Sequence, residues 1–84
     1  MTADDELVKG FAMALGIAPS KVIDSLAYQS IPEWDSVGHM SLIAELESRF
    51  KVMLDTDEIL DLSSVATAKQ ILGRHGVDFL VVGE

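Results

Sequence analysis

The fold of this chain is decided by residues 34–50, which read WDSVGHMSLIAELESRF. At a helical spacing of about 100° per residue, its larger apolar side chains gather on one side, and they are Leu42, Ile43, Leu46 and Phe50. This pattern predicts an amphipathic helix that begins near Ser36, ends near Lys51 and buries one face in a core. His39 lies at the top of that face.

A first helix is predicted before this stretch, over residues 3–15. Thr2 is placed to cap its start and Gly16 to end it. A long connection, residues 17–35, then leads to the second helix and contains both prolines of the chain. Its apolar residues are expected to anchor it to the core, and they are Val22, Ile23, Leu26, Ile31 and Trp34.

Two more helices are predicted after it. A short third helix fits residues 56–61, where Asp55 and Glu58 have the spacing of a capping box. A fourth helix begins after Ser63 or Ser64, either of which can cap it, and glycines follow its end.

These elements predict an all-α bundle of three main helices plus one short helix, with a long first loop. The chain has 84 residues, which fit a single domain over residues 1–84. Its hydrophobic fraction of 49% favours a folded core despite a formal charge of −8. The tail, residues 77–84, is left without an assigned structure.

The composition also excludes several functions. The chain has no cysteine, and its two histidines, His39 and His75, lack the spacing of metal ligands, so no metal site is expected. The acidic balance opposes binding to nucleic acid and to anionic membranes. The acidic start does not resemble a targeting peptide, and the longest apolar run, residues 79–82, is too short to span a membrane. We therefore expect a cytoplasmic monomer.

The outward side of the second helix is less polar than a solvated face should be. Val37, Met40 and Ala44 form an apolar strip there, flanked by Glu45 and Glu47. Between positions 33 and 61 the chain carries eight carboxylates and two basic residues. An ordinary solvated face is one interpretation, and a docking surface that attracts basic partners is the other.

Asp35-Ser36-Val37 lies at the start of the second helix, where a helix cap is the ordinary role of such residues. This tripeptide and the helix after it resemble the Asp-Ser-Leu motif and second helix of acyl carrier proteins. Positions that match further along are Leu54, Asp57, Glu58, Leu62, Ser64, Val65, Ala68 and Ile71. The resemblance extends from the first helix to about Arg74, and it implies an acyl-carrier-type bundle with a long first loop.

The resemblance implies a carrier and not an enzyme. A phosphopantetheinyl transferase would attach 4'-phosphopantetheine from coenzyme A to Ser36, and the thiol of that arm would hold acyl groups as thioesters. The other implied partners are acyl-activating, acyltransferase or synthase enzymes with basic patches, in fatty-acid, polyketide or specialised lipid biosynthesis. The implied docking residues are Asp35, Val37, Met40, Ala44 and Glu47. The implied acyl-pocket residues are Ile43, Leu46, Leu54, Leu62 and Ala68.

The sequence departs from the family pattern in ways that favour a dedicated, stand-alone carrier. Val37 replaces the usual leucine, and Ser41 and Ser48 stand where fatty-acid carriers usually have acids. An aminoacyl or peptidyl carrier and an unmodified acidic helical interaction module stay open as alternatives. A hydrolase built on Ser36 and His39 is not favoured, because a bundle this small offers no oxyanion hole or substrate pocket.

Overall fold

The computed structural model describes residues 2–79 of the chain. Within that range the helices are α1 (Ala3–Leu15), α2 (Ser36–Phe50), α3 (Thr56–Asp61) and α4 (Val65–Arg74), and a short 3-10 helix (Pro19–Lys21) lies between α1 and α2. The predicted all-α fold of three main helices and one short helix is confirmed. Over the described part of the chain, no helix combines the length and the apolar content that crossing a membrane requires.

Side-chain caps fix where the later helices begin. The Asp55 carboxylate accepts the Glu58 backbone N–H, and the Glu58 side chain accepts the Asp55 N–H, which is the predicted capping box. Of the two candidate serines, Ser64 caps α4, because its hydroxyl oxygen accepts the Thr67 N–H at 3.1 Å. These bonds satisfy N–H groups that have no partner inside the helix.

The core lies where α1, α2 and α4 meet, and α1 packs along α2. The predicted inner face of α2 is confirmed for Leu42, Ile43 and Leu46, which are buried, while Phe50 is half-buried. The other helical core residues are Leu7, Phe11, Ala12, Leu15, Val65, Ala68, Ile71 and Leu72. Burying each large aliphatic side chain contributes about 1.5–3 kcal/mol, so this cluster is the main source of stability.

The long connection is tied to the beginning of α4. The Tyr28 N–H donates to the Ser63 carbonyl oxygen at 2.8 Å, and the Val65 N–H donates to the Leu26 carbonyl oxygen at 3.0 Å. A single antiparallel bridge between Ala27 and Ser64 lies between these two bonds. The connection is therefore ordered by backbone pairing as well as by apolar contacts.

Four of the five predicted anchors of the connection contact the core. Val22, Leu26 and Trp34 are buried and Ile31 is partly buried against them. The expectation for Ile23 was wrong, because this side chain is 58% exposed. The chain turns at this point, and the Leu26 N–H donates to the Ile23 carbonyl oxygen at 2.9 Å. The side chains of Val22 and Leu26 are buried on the inner side of this turn, whereas the side chain of Ile23 lies on its outer side, in solvent.

Two basic side chains join separate elements across the surface. Arg49 of α2 contacts Glu6 of α1 at 2.7 Å. Lys69 of α4 contacts Asp24 at 2.9 Å and Asp4 at 3.3 Å. The pKa of Arg49 is raised, mainly by its hydrogen bond to Glu6. The pKa of Lys69 is also raised, mainly by its hydrogen bond to Asp24.

Part of the tail lies within the described residues. The Val77 N–H donates to the Leu72 carbonyl oxygen at 3.1 Å. The ring of Phe79 meets that of Phe50 edge to face, with centroids 6.1 Å apart. Residues 80–84 of the tail left without a predicted structure lie outside the described residues.

Gly38 yields a test of how tightly the start of α2 packs. A Cβ atom at this position would collide with the carbonyl oxygen of Glu33 and crowd Leu15. Gly38→Ala should therefore lower the free energy of unfolding by about 1–3 kcal/mol through overpacking, although alanine is the better helix former. Denaturant titration measures the change.

Gly73→Ala is the matched control, because Gly73 also lies in a helix but nothing lies within 4 Å of a Cβ placed there. It should leave the free energy of unfolding unchanged or raise it by up to about 1 kcal/mol. Equal effects of the two substitutions would contradict the close contact at Glu33.

Candidate functional site

Ser36 is the first residue of α2 and is exposed. The helix cap is Asp35, whose Oδ1 accepts the Gly38 backbone N–H at 2.8 Å. The ordinary capping role considered for Ser36 is therefore filled by its neighbour. Within residues 2–79, the Ser36 hydroxyl has no hydrogen-bond partner. It is a free hydroxyl on a defined backbone.

The surroundings of Ser36 suit a covalently attached anion. The first N–H groups of a helix have no intrahelical acceptor, and the helix dipole places partial positive charge there. The first turns of α1 and α3 each carry acidic residues, whereas the first turn of α2 carries none. The Asp35 carboxylate takes the Gly38 N–H, so the N–H groups of Ser36 and Val37 are those left in this turn for a phosphodiester on Ser36.

Trp34 holds the segment that enters α2. Its side chain is fully buried and meets the ring of Phe11 edge to face, with centroids 5.4 Å apart. Its carbonyl oxygen accepts the Gln29 N–H at 2.9 Å, and its own N–H donates to the Ile31 carbonyl oxygen at 3.2 Å. The position of Ser36, two residues later, is therefore fixed by an aromatic anchor.

His39 connects this anchor to α3. The Trp34 Nε1–H donates to His39 Nδ1 at 3.0 Å, and His39 Nε2 lies 2.9 Å from the Ile59 carbonyl oxygen. Both ring nitrogens are engaged, so in this geometry neither is free to accept a proton from Ser36. Sequence reasoning placed His39 at the top of the core face but missed both bonds. The one signal in the sequence was a histidine five residues after a tryptophan.

A cavity of about 170 Å³ lies beside His39. The residues that line it are Tyr28, His39, Ile59, Leu60, Leu62 and Ser63. Of the five predicted acyl-pocket residues, Leu62 alone lines this cavity. The other four, Ile43, Leu46, Leu54 and Ala68, are buried in the core. The cavity is thus walled mainly by α3 and the residues after it.

The apolar strip predicted on α2 is open to solvent. Val37 is 74% exposed, Met40 is 58% exposed and Ala44 is exposed as well. Asp35, one residue before Ser36, is also exposed. Among the proposed docking residues, these four share accessibility and lie on or next to one helix.

The two acids that flank the strip are engaged within the molecule. Glu45 accepts from Arg49 Nε at 2.9 Å, and Glu47 Oε2 accepts the Leu54 backbone N–H at 2.9 Å. Glu47, predicted as a docking residue, is half-buried and holds the chain after α2 in place. Exposed carboxylates come instead from the segment before α2 and from α3, and they are Glu33, Asp35, Asp57 and Asp61.

One carboxylate of α3 faces the end of α4. His75 Nε2 lies 2.9 Å from both oxygens of Glu58. This contact, followed by the backbone hydrogen bond from Asp55, lowers the pKa of Glu58 below its usual 4.5. Within residues 2–79, no group of histidine and carboxylate side chains is arranged to hold a metal ion.

Comparisons with known proteins assign no family. No protein-family model matches the sequence, and no curated protein matches it significantly. The carrier interpretation therefore depends on the residues around Ser36 and on the order of the helices.

The Glu58–His75 contact predicts acid sensitivity. A carboxyl whose pKa is lowered on folding stabilises the protein above its unfolded pKa, and that contribution is lost as the pH falls through the lowered value. Glu58→Gln should therefore flatten the decline in stability below pH 4.5, measured by urea unfolding at a series of pH values.

Asp57→Asn is the matched control, because it removes the same charge from the same turn without altering the contact with His75. It should change the decline in the free energy of unfolding below pH 4.5 less than Glu58→Gln does. If stability declines identically below pH 4.5 in the wild type and in Glu58→Gln, the Glu58–His75 contact does not contribute to acid sensitivity.

Proposed function

We propose that this chain is an acyl carrier protein in which Ser36 bears a 4'-phosphopantetheine arm. One observation carries the proposal. Ser36 presents an exposed hydroxyl at the first position of α2, while Asp35 performs the capping that would otherwise occupy a serine there. The family resemblance of the surrounding sequence supplies the chemistry.

The residues present fit such an arm. A transferase would use the Ser36 Oγ as the nucleophile on the pantetheine-side phosphorus of coenzyme A. The hydroxyl loses its proton, the Oγ–phosphorus bond forms, and the pyrophosphate P–O bond breaks to release 3',5'-adenosine bisphosphate. The N–H groups of Ser36 and Val37, which the Asp35 cap leaves unused, would be the backbone donors closest to the new phosphodiester. When bound, the arm supplies a thiol that forms thioesters, and the chain has no cysteine to supply one itself.

The exposed strip gives the carrier a surface for its enzymes. Val37 and Met40 lie one position and four positions after Ser36, so an enzyme that reaches the serine also meets these side chains. The exposed carboxylates before α2 and on α3 would draw partners with basic patches toward them. The same surface would serve the transferase first and the acyl-transferring enzymes afterwards, in the cytoplasm.

An unmodified acidic interaction module would use the same strip without needing a free serine. The free hydroxyl of Ser36 favours the carrier over this alternative. An aminoacyl or peptidyl carrier would share the arm and differ in the group that it holds.

Intact-mass measurement tests the proposal. After incubation with coenzyme A, magnesium and a broad-specificity phosphopantetheinyl transferase, the chain should gain the mass of one phosphopantetheine. Ser36→Ala should gain nothing. Ser41→Ala, which removes another exposed hydroxyl from α2, should be modified like the wild type. An unmodified wild type beside a fully modified control carrier would refute the carrier function.

The strip predicts a second result. Met40→Ser should weaken the interaction with the transferase about tenfold, because burying a methionine contributes about 1.5 kcal/mol. The weaker interaction is measured as a rise in the KM of the transferase for the carrier. Met53→Ser is the control, since Met53 is 84% exposed and follows α2 instead of lying on the strip. An equal KM for the two variants would remove Met40 from the docking surface.

A further inference from the structure

The shortest α-helix, α3, buries none of its own residues fully. It has six residues, 56–61. A helix of this length is unstable alone, so contacts with other elements must keep it in place. Ile59 packs partly against the core, and polar contacts supply the remainder.

One of these polar contacts comes from α2. The Ile59 carbonyl oxygen lies in the last turn of α3, where carbonyl groups have no intrahelical donor. In a longer helix the Ser63 N–H would donate to it, but that N–H donates to Thr67 Oγ1 at 3.0 Å. His39 Nε2, 2.9 Å away, takes this place.

The hydrogen-bond partners of His39 determine which of its two ring nitrogens carries the proton. Trp34 Nε1 can only donate, so His39 Nδ1 accepts and carries no proton. The Ile59 carbonyl oxygen can only accept, so Nε2 carries the proton. The ring also stacks on Trp34 with 17° between the planes and meets Tyr28 edge to face. Only the neutral, Nε2-protonated imidazole satisfies both bonds.

We propose that His39 is a positioning residue, a neutral imidazole that fastens α3 to Trp34 and so holds one wall of the half-open cavity between α3 and Tyr28 in place. His39 itself lines the cavity, and three further lining residues, Ile59, Leu60 and Leu62, belong to α3 or its carboxyl end. Losing the bond to Ile59 frees the helix that forms this wall. We call the two hydrogen bonds of His39, to Trp34 and to Ile59, the latch. Because the latch holds the helix that forms the cavity wall, the shape of the cavity depends on it.

A consequence for cargo rests on the proposed function. Engineered cavities of about 150 Å³ hold benzene, so this cavity of about 170 Å³, which is half open to solvent, has room for a group of about that size. A hexanoyl group on a Ser36-linked arm is a suitable probe. With α3 fastened, the cavity wall shields one side of the probe from solvent, and with α3 released that shielding is reduced.

The wild-type protein gives the first test. Nitrogen-15 shifts of the His39 ring in the unmodified chain should show a protonated Nε2 and an unprotonated Nδ1. A dominant Nδ1-protonated or doubly protonated ring at neutral pH would overturn the latch. This measurement does not depend on how any variant folds.

Two substitutions separate the halves of the latch. The amide oxygen of His39→Asn can replace Nδ1 as an acceptor for Trp34 but cannot reach Ile59. The amide nitrogen of His39→Gln can replace Nε2 as a donor to Ile59. In hydrogen exchange at neutral pH, His39→Asn should speed exchange of the amides 59–62 about 3- to 10-fold relative to amides of α1, as expected for one lost hydrogen bond.

His39→Gln should keep α3 exchange close to wild type while shifting the Trp34 indole N–H resonance. A role limited to packing would slow or speed both variants alike, so equal exchange of α3 in Asn and Gln variants would overturn the proposal. The ratio to α1 amides removes any change in global stability.

The cargo consequence is tested separately by loading Ser36 from hexanoyl-coenzyme A and cleaving the thioester with hydroxylamine. Cleavage should be about 3- to 10-fold faster in His39→Asn than in wild type or His39→Gln. Loading with equal cleavage rates would overturn the link between latch and cavity. Failure of Ser36 to load would instead refute the carrier function, and the exchange result on the unmodified chain would still decide the latch.

Discussion

The site depends on the burial of one indole. Trp34 ends the long connection, packs on Phe11 of α1 and donates its single N–H to His39 of α2. A buried indole N–H without an acceptor would cost about 1–3 kcal/mol, so the tryptophan and the histidine require each other. This pair sets the start of α2, and the start of α2 sets the backbone that carries Ser36.

The basic and the acidic side chains of the surface differ in what they contact. Arg49 and Lys69 are engaged in joining α1, α2, α4 and the connection. Exposed carboxylates lie before α2 and on α3. Glu33 and Asp35, the acids next to Ser36 in sequence, are not among the acids that Arg49 and Lys69 pair with, so their charge stays on the surface beside the serine.

Local patterns predicted most of this fold. The bounds of α1 and α3, the inner face of α2 and the capping box at Asp55 follow from periodicity and turn chemistry, which act within a few residues. Ile23 and Glu47 show the limit. Whether an apolar residue in a loop faces inward, and whether an acid accepts a distant N–H, depends on the path of the whole chain. The bond between His39 and Ile59 is of the same kind, since it joins residues 20 positions apart, and so is the wall of the cavity, which combines Tyr28 with residues of α3.

The pairing of Ala27 with Ser64 has a consequence for folding. It joins segments far apart in sequence, so forming it costs more loop-closure entropy than forming a helical turn. Tyr28, next to this bridge, contacts both Trp34 and His39. The contacts that hold the segment before Ser36 therefore depend on a long-range pairing, and a chain in which that pairing has opened would lose the Tyr28 side of them.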